Sequence, residues 1–426
     1  MPEPWRDVHL PVATRVEALL DAMTVDEWAG QLGSYWPRPE TPTTDDGQVA
    51  PMEHAMQERP SFEDANVHGL GHLTRAFGSA PVPVSAGIRK LADYQRAVVE
   101  RSRFGIPAIA HEECLTGFTT YGACVYPTAL AWGATFDPGL IERMAARIGR
   151  DMRALGIHQG LAPLMDVVRD YRWGRVEETI GEDPYLVGSI GTAYVKGLQS
   201  QGVIATLKHY AGYSASRGGR NHAPVGMGRR EFEDVMLPSF EMAVRDGHAG
   251  SVMNAYSDID GEPAAASHWL LTEVLRGRWG FTGTLVSDYW AVSFLALAHH
   301  VVQTRDEAGA LALRAGVDVE LPETSCYCHL ADQVAAGLLD AKVVREAARR
   351  VLTQKAELGL LDPGWDPLPI REDSDLDSPA NRALAREVAE QSIVLLDNKA
   401  GLLPLAGCRR LAVIGPIADN PTSFLG

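Results

Sequence analysis

The chain has 426 residues, of which 46% are hydrophobic and 22% charged, a composition typical of a soluble globular protein with room for one large barrel and part of a second domain. Its 39 Lys and Arg against 55 Asp and Glu give a formal net charge of −16, which argues against nucleic acids and anionic membranes as partners. The five cysteines are few, odd in number and scattered, which argues against a disulfide framework.

The N-terminal residues have neither the basic start nor the apolar stretch of a signal peptide. No uninterrupted apolar run is long enough to cross a bilayer. We therefore expect a cytoplasmic protein.

The first third of the chain shows clear helix signals. Thr24 and Glu27 have the spacing of a capping box, in which each side chain bonds the other residue's backbone amide. The patterns of apolar residues predict a helix pair over 14–32, a long loop over 36–66, a helix over 91–101 and a strand over 106–110.

From there helices and short apolar strands alternate. Capping residues begin the helices and glycines end them, over 137–155, 184–200, 230–245, 270–279 and 306–314. The strand that follows each helix ends on a polar residue, in order Asp166, Lys208, Asn254, Asp288 and Glu320. Such repeats build a parallel sheet and favour a (β/α)₈ barrel of TIM type. An open doubly wound sheet is the alternative, but no Gly-rich nucleotide turn follows an early strand.

The C-terminal part predicts a second unit. We expect the barrel over 1–365, a linker over 366–385 that is rich in prolines and acids, and the beginning of an incomplete second α/β domain over 386–426. An apolar run at 411–416 is typical of the first core strand of such a domain, although a lone strand cannot bury its faces.

In a barrel the carboxyl ends of the strands form one face, where the chemistry lies. Asp288 follows a short apolar strand and precedes Tyr289 and Trp290, a combination that suits a sugar ring, although capping of the next helix would explain Asp288 equally well. Acids and bases at similar density suit a neutral ligand rich in hydroxyls. The polar residues expected at this face are Glu112, Glu113, Asp166, Arg175, Lys208, His209, Asn254, Tyr256, Asp288 and Glu320.

Several of these residues permit more than one interpretation. Lys208 could form a Schiff base, as in barrel aldolases, or could bind hydroxyls together with His209, and His209 could equally be a core imidazole. Glu112 and Glu113 could be an acid and its partner or could cap a helix, and side-chain alternation suggests that only one faces the ligand.

Metal chemistry is disfavoured by the motifs. His111-Glu-Glu-Cys-Leu is not the His-Glu-x-x-His of zinc proteases. Cys326, Cys328 and His329 could hold a metal, but they lack a second pair of ligands. We therefore expect no metal site and no cofactor.

A family resemblance follows from several motifs that occur in one order. The chain resembles glycoside hydrolase family 3 from about Leu10 to its last residue, and the matching segments are His111–Phe118, Arg169–Pro184, Lys208–Tyr210, Gly219–Pro224, Met253–Tyr256 and Val286–Tyr289. The resemblance implies a β-glucosidase or β-xylosidase that removes terminal β-linked glucose or xylose with retention of configuration. It assigns the nucleophile to Asp288 and sugar binding to Glu113, Arg175, Lys208, His209 and Tyr256, with Glu113 standing where many members have Asp.

Two departures from the family pattern matter. Members that act on N-acetylglucosamine carry Pro-Gly-His after Lys-His, and this chain does not, which disfavours that substrate class. The acid/base glutamate of the other branch usually lies in the second domain, and no residue here matches it. We therefore expect either a fragment, whose missing C-terminal domain supplies the acid, or an acid recruited from Glu112, Glu178 or another chain of a homo-oligomer, and we favour the fragment.

Two rival functions remain open at the level of the sequence. A sugar-binding barrel that no longer hydrolyses would account for the missing acid. A class I aldolase would use Lys208 but would leave Asp288 and Arg175 without a role. In each case the expected partner is a small molecule, a sugar in the favoured interpretation.

Overall fold

The computed structural model describes residues 3–37, 60–368, 374–399, 401–405, 407, 410–415 and 418–419. Most of the loop predicted over 36–66 lies outside these residues. Within them, a parallel sheet is surrounded by helices, so the chain has an α/β fold.

The sheet contains seven parallel strands whose order in space is their order in the chain. We number the strands of the chain β1 to β9, with β7 and β8 forming a separate antiparallel hairpin. The strands are β1 Ser34–Tyr35, β2 His72–Thr74, β3 Ile109–Glu112, β4 Gln159–Gly160, β5 Ile204–Tyr210, β6 Ser251–Asn254, β7 Asp258–Ile259, β8 Glu262–Pro263 and β9 Thr284–Val286.

The two edges of the seven-stranded sheet are joined by one segment, residues 317–321. On one side the amide of Asp318 donates to the carbonyl oxygen of Leu285 in β9 at 2.7 Å. On the other side the amide of Glu320 donates to the carbonyl oxygen of Leu32, beside β1, at 3.0 Å. A segment bonded to both edges requires the sheet to curl, as the helix–strand alternation predicted. The strand expected at 317–319 is reduced to an isolated bridge between Val286 and Val319.

Asp318 fixes this junction from the interior. Its carboxylate is 1% exposed. One oxygen accepts the amide of Leu285 at 2.8 Å and the guanidinium of Arg276 at 2.6 Å, and the other accepts Arg350 at 2.7 Å. These charge-assisted bonds offset the cost of burying the carboxylate at the segment that links the two edges of the sheet.

The predicted helices are present. The capping box at Thr24 and Glu27 is complete, and Asp137 and Asp183 each cap a helix that begins with proline. The longer helical segments are Val12–Ala22, Val25–Gly30, Val84–Arg101, Ala129–Thr135, Pro138–Ala154, Pro184–Gln199, Pro238–Arg245, Trp269–Arg278, Ala291–Leu297, Arg305–Ala315, Leu330–Ala335, Ala341–Glu357 and Pro379–Gln391. The predicted helix over 230–245 is divided, because a π-helical turn at Phe232–Met236 separates Arg229–Glu231 from Pro238–Arg245.

Helices Pro138–Ala154 and Pro184–Gln199 pack closely on the outside of the sheet. A Cβ atom on Gly197 would lie 2.2 Å from the carbonyl oxygen of Glu142, so this contact requires glycine. Trp132 stacks on Tyr194 with ring centroids 5.0 Å apart beside them. Close packing of this layer holds the strands, and therefore the loops at their carboxyl ends, in fixed positions.

The C-terminal helix Pro379–Gln391 packs on this layer, and the side-chain amide of Asn381 donates to Asp151 at 2.7 Å. The strand predicted at 411–416 does not form within the described residues, where Leu411 is 72% and Ile414 90% exposed. The second domain over 386–426 and the linker over 366–385 stay predictions. Among the described residues, no helix is both long and apolar enough to span a membrane.

Candidate active site

Asp288 lies two residues beyond the end of β9, at the carboxyl edge of the sheet. It is 7% exposed. Its Oδ1 accepts the backbone amide of Tyr289 at 2.7 Å. Its Oδ2 has no hydrogen-bond partner at bonding distance among the described residues and lies 3.7 Å from Nε2 of His209. One carboxylate oxygen is therefore fixed by the backbone, whereas the other is left for a ligand.

The electrostatic surroundings of Asp288 are mixed. Burial raises the pKa of the carboxyl to about 6, and the positive charges of Arg175 and Lys208, together with the Tyr289 amide, oppose this rise. The group is therefore ionised at neutral pH but poorly solvated, which favours reaction with a developing cation.

His209 lies near the carboxyl end of β5, at the same edge of the sheet. Asp166 orients its ring. Asp166 Oδ2 accepts both the backbone amide of His209, at 2.8 Å, and its ring Nδ1, at 2.9 Å. Burial, with Arg175 and Lys208 nearby, lowers the pKa of His209 well below its ordinary value, so the ring is neutral. With the proton on Nδ1, Nε2 is an acceptor facing the acceptor Oδ2 of Asp288. A ligand hydroxyl placed between them would satisfy both.

Lys208 and Arg175 are each paired with a glutamate. Lys208 Nζ donates to Glu113 Oε2 at 2.8 Å. Burial raises the pKa of Glu113, but the charges of Lys208, Arg75 and Arg175 outweigh burial and hold it below its ordinary value. Both carboxylate oxygens of Glu178 accept the Arg175 guanidinium, at 2.5 and 2.7 Å. These pairs hold the two cations in place beside Asp288.

Glu112 and its neighbour Glu113 have different partners. Glu112 is fully buried, and its Oε1 accepts the amide of Phe77 at 2.6 Å. Burial raises the pKa of Glu112 to about 8, with Arg75 opposing it. Glu112 therefore supports the loop after β2, and Glu113 is the member of the pair that lies with Lys208.

Aromatic rings form one wall of the site. The hydroxyl of Tyr256 donates to the carbonyl oxygen of Tyr289 at 2.9 Å, and so fixes the backbone beside Asp288. Trp36 packs with Tyr289 and Trp290, at centroid distances of 5.3 and 6.3 Å. Tyr213 lies edge-on to His209 at 5.1 Å. The sequence analysis missed Trp36 and Tyr213, because nothing in the local pattern brings either residue to the site.

Two buried histidines, His72 and His111, lie next to the aromatic wall, where His111 contacts Tyr289. His111 Nε2 lies 3.3 Å from the hydroxyl of Tyr289, and its Nδ1 lies 3.4 Å from Nδ1 of His72. Burial lowers the pKa of His111 to about 3, so this ring is neutral. Two facing Nδ1 atoms require one to donate and the other to accept, which restricts both rings and, through His111, the Tyr289 side chain.

Two residues expected at the face have structural contacts instead. The side-chain amide of Asn254 is buried and donates to the carbonyl oxygen of Ala255 at 2.8 Å. The carboxylate of Glu320 accepts the amides of Ser325, Cys326 and Tyr327 at 2.9–3.0 Å. Both therefore shape loops at the edge of the sheet. By contrast Glu113, Arg175, Lys208, His209, Tyr256 and Asp288 lie together.

Comparison with known proteins gives consistent results. Residues 24–354 match the family model described as the N-terminal domain of glycosyl hydrolase family 3. A β-xylosidase of Formosa agariphila is 39% identical over 354 residues, which cover 78% of this chain and 49% of that protein. A periplasmic β-glucosidase of Salmonella typhimurium is 31% identical over 422 residues, which cover 96% and 51%.

Solved structures agree in fold. A β-glucosidase from Erythrobacter marinus superposes with a TM-score of 0.84 at 36% identity, covering 95% of this chain and 52% of that one. A β-glucosidase from Listeria innocua, solved in complex with glucose, has a TM-score of 0.78 at 32% identity, covering 92% and 53%. The chain thus spans about half the length of the relatives that it matches. Since the family model covers most of its residues, the chain belongs to glycoside hydrolase family 3.

Proposed function

We propose that this chain carries the nucleophile and the sugar-binding site of a retaining β-glycosidase that acts on terminal β-linked glucose or xylose. The observation that carries the proposal is the Asp288 carboxylate, which is buried at a strand end with Oδ2 unbonded beside the charged groups of Arg175 and Lys208. The relatives described as β-glucosidases and β-xylosidases support the substrate class. We also propose that the seven strands and residues 317–321 together form the (β/α)₈ barrel of TIM type.

In this mechanism Asp288 Oδ2 attacks the anomeric carbon, the bond to the leaving oxygen breaks, and a glycosyl-enzyme forms. Lys208, Glu113 and Arg175 bind hydroxyls of the sugar ring. His209 accepts a hydroxyl proton through Nε2. The Tyr289 amide, bonded to Oδ1, keeps the nucleophile in place while the negative charge leaves Oδ2.

The acid that protonates the leaving oxygen needs to lie about 5 Å from the nucleophile in a retaining enzyme. Three other carboxylates near Asp288 are engaged: Asp166 with His209, Glu113 with Lys208 and Glu178 with Arg175. Glu112 is held by the Phe77 amide through Oε1. We propose that the acid/base comes from a separate domain or from a second copy of the chain. Relatives about twice as long have room for such a domain.

A sugar-binding protein without turnover is the second candidate, and the ion pairs of Glu113 with Lys208 and of Glu178 with Arg175 favour it, since they engage two of the carboxylates near Asp288. The aldolase alternative is disfavoured, because Lys208 Nζ bonds Glu113 at 2.8 Å and is not available as a free amine. The cytoplasmic location stays a prediction, since one relative is described as periplasmic.

The decisive experiment is covalent trapping. The chain is incubated with dinitrophenyl 2-deoxy-2-fluoro-β-glucoside and the matching xyloside, digested, and mapped by mass spectrometry. We expect one fluorosugar on the peptide that contains Asp288 and none in Asp288→Asn. Asp234→Asn, which changes an exposed helical aspartate, is the matched control and should label normally.

Two outcomes would contradict the proposal. A label on Glu112 or Glu113 would assign the nucleophile elsewhere. No label, combined with intact binding of glucose or xylose, would favour the sugar-binding alternative. Added azide should accelerate turnover of the dinitrophenyl glycoside, because it replaces water in the second step, which otherwise needs the absent base.

A further inference from the structure

A group of potential metal ligands lies away from the candidate active site. Asp306, Cys328 and His329 each place one donor atom within 4.8 Å of the others. His329 Nδ1 lies 2.9 Å from Asp306 Oδ1, and Cys328 Sγ lies 3.7 Å from His329 Nδ1. Among the described residues, this is the one group of three or more such side chains.

This group differs from the Cys326, Cys328 and His329 set that the sequence analysis considered. Cys326 points into the interior, where it is fully buried and its Sγ lies 3.2 Å from the hydroxyl of Ser293. Asp306 lies in the first turn of helix Arg305–Ala315 and replaces Cys326 as the third potential ligand. The donors are therefore a carboxylate, a thiol and an imidazole.

The spacing of the donors suits a tetrahedral ion. Zn–S bonds of about 2.3 Å and Zn–N or Zn–O bonds of about 2.0–2.1 Å give distances of roughly 3.3–3.7 Å between neighbouring ligands. The Cys328–His329 distance already has this value, and the Asp306–His329 distance has to lengthen by only a few tenths of an ångström. The remaining pair, Asp306 and Cys328, has its donor atoms within 4.8 Å of each other.

Hydrogen bonds hold the backbone that carries the donors. The loop before Cys328 is held by Glu320, which accepts three successive amides. The helix of Asp306 begins with a complete capping box, and its backbone carbonyl accepts the side-chain amide of Gln333 at 3.0 Å. Because the chain is already ordered, binding an ion would not have to offset the entropy of ordering it.

Charge and access also favour a cation. His329 and Asp306 have side chains that are 55% and 49% exposed, so an ion can enter from solvent. Glu320 and Asp306 place negative charge near the Cys328 thiol. The same negative charges attract a divalent cation, whose own charge favours the thiolate.

We propose that Asp306, Cys328 and His329 form a surface site for Zn²⁺, with solvent in the fourth position. On binding, the Cys328 thiol loses its proton to solvent. The imidazole of His329 keeps its proton on Nε2 and donates the Nδ1 lone pair to the ion. This site is independent of the glycosidase proposal, since its residues take no part in sugar binding.

The test uses Co²⁺ as a spectroscopic probe and Zn²⁺ as the ion to be counted. The reduced chain is titrated with Co²⁺, and the thiolate-to-cobalt charge-transfer band is measured in the near ultraviolet. Zn²⁺ is measured separately by equilibrium dialysis. We expect one equivalent of each ion, with Zn²⁺ displacing Co²⁺ and protecting Cys328 from a thiol reagent.

Variants identify the ligands. Loss of a group that only orients a ligand costs about 10–100-fold in metal affinity, so Cys328→Ser, His329→Gln and Asp306→Asn should each cost at least about tenfold. Cys328→Ser should also abolish the charge-transfer band. All three side chains are at the surface, so folding, checked by circular dichroism, should be retained.

The controls are chosen to exclude other surface donors. His268→Gln removes an exposed imidazole that lies 3.5 Å from Glu273, and Cys408→Ser removes a thiol outside the described residues. Both should bind Zn²⁺ as the parent chain does. An absent cobalt band, or a band that persists in Cys328→Ser and disappears in Cys408→Ser, would overturn the proposal.

Discussion

Replacement of Asp288 by asparagine should stabilise the fold at neutral and alkaline pH while it removes the proposed nucleophile. The reason is that the folded protein places this carboxylate where it is poorly solvated. Burial raises its pKa from the ordinary value of 3.8 to about 6 against the opposing charges of Arg175 and Lys208. Asparagine has a similar shape, keeps an oxygen for the Tyr289 amide, and carries no charge to desolvate.

The magnitude follows from linkage. Between pH 3.8 and about 6 the folded chain binds the Asp288 proton more tightly than the unfolded chain does, so stability falls as pH rises through this range. Above about pH 6 the loss is complete, and the difference between the two pKa values corresponds to about 3 kcal/mol. Asp288→Asn should recover a part of this at pH 8 and almost none of it at pH 4.

The assay is thermal unfolding of the parent chain and Asp288→Asn, followed by circular dichroism from pH 4 to pH 8. We expect the variant to unfold a few degrees higher at pH 8, with the difference shrinking as pH falls through about 6. Asp234→Asn, an exposed aspartate, should show no such trend. A difference that is independent of pH, or a variant that is less stable at pH 8, would refute the reasoning.

Three further predictions concern catalysis, binding and folding. The kcat/KM for a dinitrophenyl glycoside should fall below about pH 6, because Asp288 has to be ionised to attack. Lys208→Met should move this fall in kcat/KM to higher pH, because it removes a positive charge that lowers the pKa of Asp288. Arg175→Ala and Lys208→Ala should each weaken inhibition by a monosaccharide by about 1.5–3 kcal/mol, measured as inhibition constants. Asp318→Asn should lower the free energy of unfolding by about 3 kcal/mol in urea titrations, since it leaves two partly buried guanidinium groups without their buried carboxylate.

Each of these predictions has a matched control. Arg172→Ala removes an exposed arginine in the same loop as Arg175 that pairs with Asp170, and it should leave inhibition unchanged. Unchanged inhibition constants in Arg175→Ala would assign this side chain a structural role only. Asp332→Asn changes an exposed aspartate, and a loss of stability equal to that of Asp318→Asn would contradict the role of the buried network. A pH profile without an acid limb would contradict the assignment of Asp288.

Much of the fold could be predicted because its signals are local. The capping box at Thr24 and Glu27, and the Asp-Pro pairs that begin two helices, act within one helical turn, and the structure confirms them. The alternation of helices and apolar strands predicted a parallel sheet, which the structure also shows. The ordered motifs identified the family, and the family model confirms it. The roles assigned to the site residues stay predictions.

What only the tertiary structure decided involves partners far apart in the chain. Lys208 meets Glu113 across 95 residues and His209 meets Asp166 across 43, and no local pattern specifies either pair. Glu320 was expected at the ligand face and instead holds a loop, while Cys326 turns into the core and Asp306 takes its place among the potential metal ligands. Helix ends and strand periodicity depend on residues that are close in the chain, so the sequence alone predicts them. The direction and partner of a polar side chain depend on which strands become neighbours when the sheet curls, and that is settled only when the whole chain packs.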